Sequence, residues 1–151
     1  RDALAEELRK LADPKETNDS GLRAKALPAY VRWSTKDTRD MVLAAMNGHP
    51  YERKAALSLL HRWPKDPEVA RVVASCLNNR EERYLAAEAL ALIGGPIARD
   101  AILPLLRDKT KEKPVHTEAL DLLKNPGIGD QETLLFLRNE KDKFTDGAIN
   151  K

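Results

Sequence analysis

Four residues, Arg23, Arg53, Arg83 and His116, stand 30, 30 and 33 positions apart, and each opens a similar run of side-chain sizes. Three positions on from each comes alanine: Ala26, Ala56, Ala86 and Ala119. Four on come Leu27, Leu57, Ala87 and Leu120, and seven on come Tyr30, Leu60, Leu90 and Leu123. Ten on, the first three copies place Trp33, Trp63 and Ile93. The extra residues of the last interval fall in KTKEKP (109–114), and loops absorb insertions readily. Such offsets follow one stripe of an α-helix. A unit this short cannot bury its own apolar face, so a chain that repeats it must stack the copies.

Between the anchored helices lies a second helical set. Apolar spacing predicts helices at about 2–12, 21–33, 37–47, 51–63, 67–78, 81–94, 97–108, 114–124 and 130–140. Asn47-Gly48-His49-Pro50, Pro64-Lys65-Asp66-Pro67, Gly94-Gly95-Pro96 and Asn125-Pro126-Gly127 punctuate them. The second helices echo as well: Val42-Leu43-Ala44 against Val72-Val73-Ala74, and Leu105-Leu106-Arg107 against Phe136-Leu137-Arg138. No segment alternates like a strand between turn signals. The expectation is an all-α chain of helix pairs.

The unit EERYLAAEALALIGGPIARDAILPLLRD (81–108) resembles the short HEAT repeats first associated with phycobilisome lyases: an acid before Arg, a small pair, Ala-Leu, then Ile-Gly-x-Pro opening the second helix. NGHPYERKAALSLLHRW (47–63) matches the first half of that pattern. The likeness spans most of 21–140 and is weakest over 114–140, where His116 stands for Arg and the glycine is missing. It implies a right-handed α-solenoid (superhelix) of stacked antiparallel helix pairs, ARM/HEAT-like. The implied layout is one repeat domain over 1–140, with units at about 21–50, 51–80, 81–113 and 114–140 behind a partial unit 1–20. Residues 141–151, with Phe144 and Ile149, follow as a tail or linker. A chain that opens on Arg, already in helical pattern, reads as a fragment of a larger, bacterial multidomain protein. Leu4, Leu8 and Leu11 then form an uncapped end.

Within that frame most conspicuous residues take packing roles. Ala26, Ala55, Ala56, Ala86, Ala87 and Ala119 let helices approach closely, and Trp33 and Trp63 fill the core slot of Ile93. Arg23, Arg53 and Arg83 lie near first-helix N-termini, where an unpaired cation opposes the helix dipole. Each is expected to bond a carboxylate or carbonyl of the preceding turn. Cys76, in VARVVASCL, reads as a buried thiol.

Chemistry-bearing motifs are scarce. His49, His61 and His116 lack metal-ligand spacing, and no phosphate-binding glycine loop or nucleophile setting occurs. No metal, cofactor or catalytic residue is expected, and a small-molecule ligand is disfavoured. No apolar run suits membrane insertion. Charge is even along the chain: 9 basic against 8 acidic residues over 1–50, 8 against 7 over 51–100, and 9 against 9 over 101–151. That balance disfavours a nucleic-acid partner. What remains is a mixed-charge ridge near the starts of the second helices, Asp40, Met41, Arg71, Arg99 and Asp100. The expected function is a non-catalytic protein–protein interaction scaffold, holding a protein partner or a neighbouring domain of the same chain along a concave face. The resemblance leaves two alternatives: a DNA-binding or DNA glycosylase-like HEAT protein, and a bilin lyase-like enzyme.

Overall fold

Helix start signals dominate the architecture. The structure, a computed structural model, describes residues 2–139. Among these run α1 (Asp2–Ala12), α2 (Ser20–Trp33), α3 (Arg39–Ala45), α4 (Pro50–Leu57), α5 (Pro67–Ser75), α6 (Arg83–Ile93), α7 (Gly95–Arg107), α8 (Lys113–Leu123) and α9 (Gln131–Asn139). Two 3-10 turns, Leu60–Arg62 and Cys76–Asn78, complete the set, and no strand occurs among the described residues. The chain is all-α. The tail expected over 141–151, with Phe144 and Ile149, lies outside the described residues.

Side-chain caps and prolines explain where helices begin. Asp19 accepts the Leu22 N–H at 3.1 Å to start α2, and Asp66 accepts those of Glu68 and Val69 at 3.0 and 3.3 Å to start α5. Proline stands in the first turn of α4, α5, α7 and α8, where its missing N–H costs nothing. Two helices stop short of their sequence pattern. Ser58 Oγ donates to the Ala55 carbonyl and Ser75 Oγ to the Val72 carbonyl, each at 2.6 Å. A serine bonded to its own helix competes with the regular ladder, and a 3-10 turn follows in both cases.

The described residues form two compact units that divide after Arg62. In the first, α1 lies along α2, α2 packs against α4, and α3 packs against α4. Its core holds Ala5, Ala12, Ala26, Leu27, Tyr30, Val31, Val42, Ala56, Leu57 and Leu60. In the second, α5 packs on α7 and α6 on α8, while α5–α6, α6–α7 and α7–α8 contacts join the two sets. Val69, Val73, Leu77, Ala86, Leu90, Ile102, Leu106, Ala119 and Leu123 fill it. The four alanines of the repeating stripe are all buried, whereas Ala55 and Ala87 are half-buried.

The anchor residues do what their position predicts. Arg23 donates to the Thr17 carbonyl at 2.7 Å, Arg53 to the Met46 carbonyl, and Arg83 to the Leu77 carbonyl at 2.8 Å. His116 Nε2 meets the Asp108 carbonyl at 2.7 Å. Each caps a carbonyl left over at the end of the preceding helix or turn, a group that must be paired when buried.

The tryptophans are a correction. Trp33 is 42% exposed and Trp63 half-buried, so neither plugs the core as Ile93 does. Leu4 and Leu11 are exposed as well, since α1 turns Ala5 and Ala12 inward instead.

Candidate functional site

The first unit contains an open cleft of about 510 Å³ bounded by the α1–α2 turn, α2, α3 and the start of α4. Its apolar wall is made of Ala12, Pro14, Leu27, Met41, Ala44 and Ala45. Small side chains on α3 make the space: Ala44 and Ala45 stand where larger residues would fill it. Arg9, Asp13, Lys15, Asn47 and His49 add polar groups, and Arg23 and Glu52 also line it.

An ion pair fixes one side. Arg23 Nη2 lies 2.7 Å from Glu52 Oε1, and both side chains are largely buried. Glu52 also accepts the His49 N–H at 3.3 Å, which makes it part of the cap of its own helix. His49 Nδ1 accepts the Tyr51 N–H at 3.2 Å. Contact with the Arg23 guanidinium holds the Glu52 carboxyl below the usual glutamate range, and Arg23 is correspondingly harder to deprotonate. Arg23 Nε is buried without an acceptor. On the other side Arg9 joins Glu6 at 2.9 Å, Asp13 at 3.2 Å and Glu16 at 3.2 Å, pinning the turn after α1.

Of the expected ridge, Met41 lines the cleft, while Asp40 beside it is exposed and paired to Arg39 at 2.7 Å. The other three residues belong to the second unit. Arg71 on α5 is exposed. Arg99 is engaged by Asp100 at 3.4 Å and by Asp130 at 3.3 Å, and Asp130 also accepts the Thr133 N–H to start α9. Arg99 therefore ties α7 to the start of α9. Sequence reasoning missed the cleft itself, because three segments far apart in the chain shape it. The one available signal was the run Leu43-Ala44-Ala45, two small residues on the second helix of its unit.

Burial raises the Glu118 carboxyl, with Asp121 adding to the effect and Arg83 opposing it. Among the described residues no three His, Cys, Asp or Glu side chains gather as a metal site would need, and no helix is long and apolar enough to cross a membrane. The cleft offers shape and apolar contact with fixed charges at its edge. Comparison of the chain with family models, curated proteins and solved structures gave no match.

Proposed function

We propose that the chain is a HEAT-like α-solenoid segment acting as a non-catalytic interaction scaffold, and that the first-unit cleft receives apolar side chains of a protein partner. The observation that carries this reading is the cleft: an apolar wall that includes α3, a second helix of its repeat, beside charges held in place by the Arg23–Glu52 pair and by the Arg9 cluster. Pre-formed apolar recesses with a few fixed polar groups are what ligands and anchor residues occupy. The recurrent carbonyl contacts of Arg23, Arg53, Arg83 and His116 support the repeat assignment, since one structural task returns at the repeat period. Asp40 lies exposed beside Met41 where α3 begins and would extend the contact surface.

Filling the cleft tests the reading. Ala45→Phe adds a ring to the wall, and Ala45 is only half-buried, so the fold should tolerate it. Peptides selected on the whole chain should contain an apolar anchor and lose affinity by tenfold or more, on the order of 1.4 kcal/mol, against Ala45→Phe. Selected peptides that bind both forms equally, with melting curves unchanged, would remove the cleft from the proposal.

A further inference from the structure

The even charge along the chain conceals a local imbalance that packing exposes. Residues 20–33 and 50–63 carry Arg23, Lys25, Arg32, Arg53, Lys54 and Arg62 against a single acid, Glu52. Glu52 is 4% exposed and committed to Arg23. α2 packs against α4, so the helices of these two segments lie side by side in the first unit. Outward from them stand Lys25, Arg32, Lys54 and Arg62, all exposed, and no exposed carboxylate belongs to either segment. Lys25 and Arg32, seven residues apart, fall on one face of α2.

Between α2 and α4 an open recess of about 370 Å³ is lined by Gly21, Ala24, Lys25, Tyr51 and Lys54. Gly21 and Ala24 leave room on the α2 side. Tyr51 is 60% exposed, and its ring lies 4.7 Å from that of His49, tilted by 42°. Its backbone N–H is used on His49 Nδ1, which fixes its backbone at the helix start. Neither Lys25 nor Lys54 has an ion-pair partner among the described residues. An exposed aromatic ring flanked by two unpaired ammonium groups, with the N-cap carboxylate of Asp19 at the Gly21 edge as the one nearby acid, has the make-up of a stacking platform for an unpaired base with phosphates on either side.

We propose that this α2–α4 face binds single-stranded nucleic acid, with Tyr51 stacking on a base and Lys25, Lys54 and Arg32 taking the backbone phosphates. The aromatic ring decides between possible anions. An acidic protein segment would need the cations alone, whereas a single strand uses both the cations and a flat π surface. The site is separate from the cleft assigned to a protein partner, and either can stand without the other.

Fluorescence anisotropy of a labelled oligo(dT), about 16 nucleotides long to cover the largest usual site, tests the proposal on the whole chain. Three phosphate contacts on a single strand give a log–log salt slope of about −2. Tyr51→Ala should weaken binding by about fivefold to a hundredfold at unchanged slope. Tyr51→Phe should retain it. Lys25→Glu with Lys54→Glu should abolish it at the same salt, and melting curves should be unchanged because all three side chains are exposed. Absence of binding at low salt overturns the proposal. So does polyglutamate displacing the oligonucleotide charge for charge while Tyr51→Ala has no effect, which would assign the face to acidic proteins.

Discussion

A single atom position explains why Gly129 must be glycine: a Cβ built there runs into the Leu123 carbonyl oxygen at the end of α8. The obstacle is backbone, so relief requires moving α8 or the chain after it. Gly129→Ala should cost about 1–3 kcal/mol, the usual range for overpacking, read as a lower denaturant midpoint at constant slope. His116 supplies a second residue-scale test. It is fully buried, and its Nε2 is the partner of the Asp108 carbonyl. His116→Phe keeps the bulk but strands that carbonyl, for an expected loss of about 1–3 kcal/mol; a variant as stable as the parent would show that the bond does not support the repeat. The anchor's identity was legible in the spacing, but its acceptor was not, because a backbone carbonyl has no letter of its own. The tryptophans show the opposite failure. Ten positions past the anchor lies about 80° round the helix from it, at the edge of the apolar stripe, and a residue there is buried only where a neighbour reaches that edge. Ile93 meets this condition and Trp33 does not.

At the scale of elements, caps and prolines made the order of helices legible, and α1, α2 and α6 to α8 run close to their expected spans. The ends of α4 and α5 were less so, since Ser58 and Ser75 could have faced solvent instead of bonding back to their own helices. The α4 start joins fold to pH. The Arg23 guanidinium, hydrogen-bonded to it, lowers the Glu52 carboxyl below its ordinary value of 4.5. A carboxyl depressed in the folded state takes up its proton first in the unfolded chain as pH falls. The stability it contributes is therefore complete above about pH 4.5 and drains away below it, until the folded carboxyl also protonates. Glu52→Gln should flatten the stability profile in that acid window and lower its plateau at neutral pH. Glu6→Gln, which breaks an exposed contact to Arg9, should change the plateau far less. Equal plateaus for the two variants would mean that Arg23–Glu52 gives no more than a surface pair.

For the whole molecule, the period was visible in the sequence while the surfaces it creates were not. Counting charges along the chain averages α2 and α4 with the acidic stretch that precedes α2, and only packing brings Lys25 and Lys54 to one recess. The cleft is hidden for the same reason, being made from the α1–α2 turn, α2, α3 and α4 together. A repeat architecture also has its own kind of stability. In a stacked array each unit contacts its neighbours alone, so damage spreads by nearest-neighbour coupling and fades with distance. Leu123, fully buried on α8, is a suitable place to apply it. Leu123→Ala should cost about 2–5 kcal/mol locally. If the copies stack as proposed, amide exchange should speed up most in α6, α7 and α8, which pack together, and least in α1 and α2. One undivided cooperative core would instead lose protection evenly from α1 to α8, because every amide would then exchange through the same global opening.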